Sequence, residues 1–254
     1  MHPVSCCVIM PVGAASGIAD QAVSARRFLT YKRIIRGGRI MENQPMEERN
    51  RKLGEKTAEN FEKRGFIACY VPTKEKALEK ALSYIKKEDT IAWGGCRSAE
   101  DTGLIAELRS GRYPNILDRD TAKTAEERQD MMRKAFFADV YIGGANGIAE
   151  DGQIVNIDGN GNRVAAMSFG PKSVIVIASV DKIMMNVMDA MARARMTAAP
   201  ANAQRFDIKT PCKMNGVCAD CLSPDNICCV FQRIRYSRPA GRIKVILVGE
   251  KLGF

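Results

Sequence analysis

The chain has 254 residues, 46% of them hydrophobic, and a formal net charge of +10. This length suffices for one large domain or two small ones. No run of about 18 uninterrupted apolar residues occurs, so no membrane-spanning helix is predicted. The single histidine is His2, so the body of the chain must rely on cysteine, carboxylate, lysine, arginine or backbone groups for any chemistry.

The first forty residues differ from the rest of the chain. They hold six basic residues and one acidic residue, so half of the net charge lies at 1–40. The remainder has no basic run interleaved with aromatic residues, and nucleic-acid binding is not expected. The apolar stretch at 6–19 precedes the basic residues, the reverse of a secretory signal. We predict an unstructured extension at 1–40, such as upstream sequence translated from a misplaced start, with a targeting segment as the alternative.

Beyond the extension, residues 41–254 are predicted to form a cytoplasmic domain in which helices and strands alternate. Helices are predicted at 47–64, 74–87, 98–109, 124–137 and 181–195, and strands at 66–71, 90–93, 138–142, 173–179 and 242–248. The strands are continuously apolar, which is typical of a parallel sheet buried on both faces. We therefore predict an α/β fold, a mainly parallel sheet with helices on both faces. Five methionines in and beside the helix at 181–195 are expected to fill gaps in the core.

In such folds, ligands bind beyond the carboxyl ends of the strands. The first loop to consider is WGGCRS at 93–98, which follows a predicted strand and opens a helix with Ser98 as its predicted cap. Gly94 and Gly95 let the backbone approach a ligand closely, and free N–H groups at the helix start attract anions. The loop is neither a Walker A motif nor GxGxxG, so no nucleotide is specified, and a plain tight turn is the alternative.

A second loop, GGANGIAEDGQIVNIDGNGNR, spans 143–163. It does not form an EF-hand starting at Asp158, because Arg163 and Phe169 would occupy the positions that need glycine and a bidentate glutamate.

A hairpin fits this segment better. Residues 151–152 (Asp-Gly) favour a tight turn, 153–157 a short strand, and 158–161 the next turn. This arrangement is expected to carry Asn162 and Arg163 towards the first loop.

Together and in this order, five motifs resemble the lactate-utilisation (LUD) domain family over roughly residues 45–254: WGGCRSAEDTGL, GGANGIAEDGQIVNIDGNGNR, GPKSVIVIAS, AAPANAQR and GRIKVILVGEKLGF. The resemblance implies the α/β fold of CoA transferases, ribose-5-phosphate isomerase and methenyltetrahydrofolate synthetase. It also implies a role in oxidising lactate, a 2-hydroxy acid, to pyruvate together with iron–sulfur partner subunits. Two departures leave the substrate unspecified: Cys96 replaces a small hydroxyl residue, and AEDGQ replaces the more usual AETGT.

Carried over residue by residue, the resemblance and the loops imply a site for a small anionic ligand. Its ligand-binding candidates are Gly94, Gly95, Cys96, Ser98, Gly143, Gly144, Asp151 and Asn162. Glu150 is a candidate general base, with a cap or turn role as the alternative. Arg163 would offer a bidentate guanidinium to a carboxylate or phosphate, with a structural ion pair as the alternative.

A cysteine-rich segment at 211–229 holds five of the nine cysteines. A CxxC core with cysteines on both sides is typical of a metal site in a reduced cytosol, and four thiolates suit zinc or an iron–sulfur cluster. The expected ligands are Cys212, Cys218, Cys221 and either Cys228 or Cys229, with metal-free thiols as the alternative. Two other classes of function stay open: an ATP- or CoA-dependent ligase or transferase, and a metal-stabilised, non-catalytic redox or docking module.

Overall fold

The computed structural model describes residues 44–254, so the predicted extension at 1–40 lies outside the described residues. Six strands form the main sheet. Numbered along the chain, they are β1 (Ile67–Val71), β2 (Ile91–Trp93), β3 (Ile116–Leu117), β4 (Val140–Gly144), β7 (Ser173–Ser179) and β10 (Ile243–Val248). Across the sheet their order is β1-β10-β7-β4-β2-β3, and every neighbouring pair is parallel.

The strand β7 shows why the main sheet is apolar throughout. Val174 and Val176 pack into the core on one face of the sheet, and Ile175 and Ile177 pack into a second core on the other. Side chains of a strand alternate between faces, so a strand covered on both sides needs apolar residues at every position. The predicted parallel sheet with two covered faces is confirmed.

A smaller sheet completes the strands. It contains β5 (Gly147–Ala149), β6 (Gln153–Asp158), β8 (Ile183–Met184) and β9 (Val230–Ile234), in the order β8-β5-β6-β9. β5 and β6 are antiparallel and meet at the turn of Asp151 and Gly152, as predicted. The turn predicted at 158–161 does not lead into another strand of a hairpin, because a helix begins at Asn162.

Nine α-helices surround the sheets in the described residues. They are α1 (Gln44–Glu62), α2 (Lys74–Leu82), α3 (Arg97–Asp101), α4 (Leu104–Leu108), α5 (Ala125–Lys134), α6 (Asn162–Ser168), α7 (Val187–Arg193), α8 (Ala199–Ala203) and α9 (Pro211–Asn215). Helix α1 packs through Phe61 on one face of the main sheet, and α2 and α4 pack through Ala77 and Leu104 on the other. Within residues 44–254, no helix combines the length and apolar character needed to cross a bilayer.

Two predicted helices differ from the structure. The helix predicted at 98–109 is divided into α3 and α4 at Gly103, whose φ of +81° is left-handed. The cap position of α3 is held by Cys96, and the Ser98 side chain is free for another contact. The helix predicted from residue 181 begins only at Val187, because the Asn186 side chain caps it by accepting two backbone N–H groups.

The methionines of this region do not all reach the core. Met185, Met188 and Met196 are between 71% and 79% exposed, whereas Met184 and Met191 are partly buried against a small cluster around Val155. The expected core role was therefore wrong for three of the five. A short π-helical turn, Ala194–Ala198, follows α7 and changes which side chains face inward.

Candidate functional site

A cleft of about 480 Å³ lies beyond the carboxyl ends of the main-sheet strands. Residues 94–98, which follow β2, and residues 144–146, at the end of β4, form two of its walls. Arg119 enters from the segment after β3, and Lys182 from the turn after β7. Because these strands are parallel and adjacent, their carboxyl ends meet at one edge, the usual ligand position in this class of fold.

Glycine allows the cleft walls to come together. A β-carbon on Gly94 would lie 2.6 Å from the Tyr141 hydroxyl and 3.0 Å from the Arg163 side chain. A β-carbon on Gly144 would lie 3.1 Å from the Cys96 sulfur. Larger residues would separate the two loops, so these glycines serve the close packing of the cleft floor.

The cleft is electropositive. Three acidic residues line it (Glu100, Asp120 and Asp158), against seven cationic ones: Arg97, Arg109, Arg119, Arg128, Arg163, Lys182 and Arg205. A concave surface with an excess of one charge concentrates ligands of the opposite sign. The arrangement therefore suits an anion.

Lys182 is a buried ammonium group on the cleft lining, only 3% exposed. Its Nζ donates to the Ser98 hydroxyl at 3.2 Å and to the Ala145 carbonyl at 3.3 Å. An ammonium group has three N–H donors, so these contacts leave one for a ligand. Burial lowers the pKa of Lys182 from 10.5 to about 8, because the charged form loses hydration.

Arg119 is a cleft cation with few contacts to acceptors in the described residues. Its Nε is buried, with no hydrogen-bond partner in residues 44–254. The Nη1 group has only the Met132 sulfur at 3.8 Å, a weak acceptor. The Nη2 group lies beside Gly95, 3.2 Å from the position of a β-carbon there. Within the described residues, most N–H groups of this guanidinium therefore have no hydrogen-bond acceptor.

Arg163, by contrast, is tied into the protein. Its guanidinium donates to the Asn156 side chain at 2.8 Å, the Ile157 carbonyl at 2.7 Å and the Asn146 side chain at 3.2 Å. Asp158 lies 3.5 Å from its Nε. Arg163 lines the cleft, but these bonds fix the wall formed by Asn146 and β6. The expected bidentate contact with a ligand does not fit this geometry.

The structure brings most, but not all, of the predicted site residues together. Those lining the cleft are Gly94, Gly95, Cys96, Ser98, Gly144, Asn162 and Arg163. Burial raises the pKa of the Cys96 thiol, which keeps it neutral. Gly143 does not line the cleft. It lies against the core, where a β-carbon on it would be 3.2 Å from the Met167 sulfur.

Glu150 and Asp151 do not line the cleft. They lie at the β5–β6 turn, where Glu150 pairs with Lys56 and Asp151 pairs with Arg64 at 2.6 Å. Asn60 of α1 also donates to the Glu150 carbonyl at 2.9 Å. The sequence-based prediction that these two carboxylates lie in the site with Gly94–Ser98 is therefore corrected. Their contacts join the β5–β6 hairpin to α1 instead.

Sequence reasoning missed the two most informative cations, Lys182 and Arg119. Lys182 follows the strongest predicted strand, and the rule that ligand loops follow parallel strands could have found it. It was instead assigned to a helix. Arg119 follows β3, whose two residues give no periodic signal in the sequence.

The side chains of the cysteine-rich segment are not arranged as the expected metal site. No group of three or more histidine, cysteine or acidic side chains within residues 44–254 is placed to hold a metal ion. Cys212 is buried with its sulfur 3.4 Å from the Thr210 hydroxyl, whereas Cys229 is exposed with its sulfur 3.1 Å from the Asn226 side chain. Burial, and then the other four thiols, raise the pKa of Cys228 to about 11. The five cysteines are neighbours, but their side chains do not converge on one point.

Comparison with known proteins gives a family and structural neighbours. A family model described as LUD domain matches residues 54–248, more than half of the chain. Among solved structures, the chain is similar to a DUF162 family protein from Deinococcus radiodurans, a crystal structure at 1.70 Å resolution. The identity is 12%, the TM-score is 0.48, and the match covers 78% of this chain and 97% of that chain. No curated protein matches the chain.

Proposed function

Because the chain belongs to the LUD domain family, we propose that it binds a small organic acid anion in this cleft as part of lactate utilisation. The family relationship supports a lactate-related role in general. The finer assignment is a cytoplasmic protein that acts with iron–sulfur partner subunits when a 2-hydroxy acid such as lactate is oxidised to its 2-oxo acid.

One observation carries the proposal: the buried ammonium of Lys182 lines an electropositive cleft, and one of its three N–H groups has no acceptor in the described residues. A buried ammonium group whose hydrogen-bond acceptors are both neutral is unfavourable, and a ligand carboxylate would supply a directly bonded counter-charge. The hydroxyl of Ser98, held by Lys182 at 3.2 Å, would sit beside the same carboxylate.

The chemistry divides between this chain and its proposed partners. Oxidation of a 2-hydroxy acid to a 2-oxo acid releases two electrons and two protons. Iron–sulfur subunits would receive the electrons. The part assigned to this chain is to hold the carboxylate at Lys182 and so orient the carbon that bears the hydroxyl group.

The test is a calorimetric titration with lactate, pyruvate and lactamide, a neutral analogue of lactate. We expect both acids to bind and lactamide not to bind. Lys182→Met keeps the length of the side chain without its charge and should weaken acid binding at least tenfold. The matched control is Lys172→Met, since Lys172 is 80% exposed and pairs with Asp139 away from the cleft.

Two results would count against the proposal. Equal binding of lactamide and lactate would remove the role of charge. Binding of ATP or CoA without binding of either acid would instead favour the ligase or transferase alternative. A thermal unfolding curve for Lys182→Met, matching or exceeding that of the wild type, separates lost binding from lost folding.

A further inference from the structure

We infer that Arg119 binds a second anionic group of the ligand, so that the ligand is a 2-hydroxy or 2-oxo acid carrying an additional phosphate or carboxylate. The inference rests on the proposed function, which assigns the first carboxylate to Lys182. It starts from a guanidinium that is 20% exposed yet has a buried Nε with no partner in the described residues.

The contacts of Arg119 do not account for its burial. Buried polar groups are almost always hydrogen-bonded, and an unsatisfied one lowers stability. Arg119 has five N–H donors, and within residues 44–254 its one side-chain hydrogen bond is to the sulfur of Met132. The planar, fork-shaped donors of a guanidinium best fit two oxygens of one carboxylate or phosphate group.

The nearest carboxylate does not satisfy Arg119. An oxygen of Asp120 lies 3.9 Å from its Nε, too far for a hydrogen bond. Asp120 instead contacts Arg109 at 3.2 Å and Arg128 at 3.1 Å. Arg109 also pairs with Asp118 at 2.6 Å. Two carboxylates are thus shared among three arginines, which leaves this part of the cleft wall with one excess positive charge.

Arg119 and Lys182 both approach one short stretch of chain. Arg119 lies beside Gly95, and Lys182 donates to Ser98, three residues later. The α-carbons of those two residues are on the order of 5 to 10 Å apart, from the rise of the chain between them. A short carbon chain with an acidic group at each end spans such a distance.

The size of the cleft agrees with a ligand larger than lactate. Its volume of about 480 Å³ is within the range of pockets that enclose ligands of drug size. A three-carbon acid would leave much of this space to water and would leave Arg119 unpaired.

The experiment compares three acids that share the 2-hydroxy acid unit: lactate, malate and 3-phosphoglycerate. Malate adds a carboxylate and 3-phosphoglycerate adds a phosphate. We expect at least one of these two to bind the wild-type protein roughly tenfold to hundredfold more tightly than lactate, the gain typical of charge-assisted hydrogen bonds. The better of the two identifies the group that Arg119 prefers.

Variants then test whether Arg119 is responsible for the gain in affinity. Arg119→Met should remove the advantage of the acid with the second anionic group and weaken lactate binding much less, because only the longer acid is proposed to contact Arg119 directly. Arg119→Lys keeps the positive charge but lacks the paired N–H donors of a guanidinium, so it should retain part of the gain in affinity. It also provides a second variant in case the methionine variant fails to fold. The control is Arg133→Met, an exposed residue of α5 that pairs with Asp130 and does not line the cleft.

The outcomes separate this inference from the proposed function. If lactate, malate and 3-phosphoglycerate bind equally, or if Arg119→Met weakens lactate as much as the other two acids, the second anionic subsite is wrong. If none of the three binds the wild type, the proposed function itself is wrong.

Discussion

The cleft and the β5–β6 hairpin both carry charged residues beside glycine, yet their charges are used differently. In the hairpin, Glu150 pairs with Lys56, and Asp151 pairs with Arg64. In the cleft, Lys182 is buried with two neutral acceptors, and the Nε of Arg119 has no hydrogen-bond partner in residues 44–254, its nearest carboxylate being Asp120 at 3.9 Å. A paired charge at a surface is explained by the fold alone. An incompletely paired, buried charge calls for a ligand.

The comparison changes which residues carry the function. The carboxylates of the hairpin stood out in the sequence because they lie in a glycine-rich run. The tertiary contacts assign them to joining α1 and the small sheet, and they leave recognition of an anion to cations from two other connections. Each prediction below tests whether the hairpin is structural and the cleft functional.

The largest expected effect is on the stability of the hairpin. Gly152 has a φ of +87°, and a β-carbon there would lie 2.6 Å from the backbone of Asn60 in α1. Gly152→Ala should lower the free energy of unfolding by about 3 kcal/mol, from backbone strain plus a clash that no side chain can relieve. Urea denaturation measures the change. A loss below about 1 kcal/mol would show that the hairpin does not depend on this approach.

The second prediction concerns pH. Burial lowers the pKa of Lys182 to about 8, so its ammonium is lost as the pH rises through that value. Affinity for lactate or pyruvate should be constant below about pH 8 and then fall by up to tenfold per pH unit. The acids stay ionised throughout this range. Calorimetry from pH 6.5 to 9.5, with Lys182→Met as the variant lacking this fall, checks the assignment.

The same titration has a consequence for stability with the opposite sign. Between about pH 8 and 10.5, the unfolded chain holds a proton on Lys182 that the folded chain has released. Stability should therefore rise with pH across this interval, and Lys182→Met should remove that rise. An unchanged slope in the variant would assign the effect to other groups.

Gly95→Ala should have a smaller effect, and on binding rather than on stability. The added β-carbon would lie 3.2 Å from Nη2 of Arg119, the movable end of a long side chain. We expect the free energy of unfolding to change by less than about 0.5 kcal/mol. Affinity for whichever of malate and 3-phosphoglycerate binds better should fall about fivefold as the guanidinium is displaced, a cost of about 1 kcal/mol. Lactate affinity should stay within twofold and serves as the internal control.

The smallest effect is expected for Glu150→Gln. Its ion pair with Lys56 is partly exposed, and such pairs contribute little to stability. The free energy of unfolding should change by less than about 0.5 kcal/mol, and acid affinity should not change. A large loss of binding or activity would return Glu150 to the catalytic role that the sequence suggested and would overturn the contrast between hairpin and cleft.

Much of the fold followed from the sequence. Continuous apolar strands such as 173–179 specified a parallel sheet covered on both faces, because alternate side chains enter opposite cores. The resemblance to the LUD domain family is confirmed by the family model over residues 54–248. The glycine loop at 94–98 was placed correctly after a strand and at the cleft, since that position depends on local order along the chain.

Only the tertiary structure decided how the charged and sulfur-containing residues are used. Whether Arg163 bonds to protein or to ligand depends on Asn146 and Asn156, which approach it through the pairing of β5 with β6. Spacing in the sequence placed five cysteines near one another but could not fix where their side chains point. Lys182 and Arg119 belong to connections far apart in the sequence. They line the same cleft because parallel strands end at one edge of the sheet. Their burial, and the N–H groups that have no acceptor in the described residues, result from the assembly of that edge.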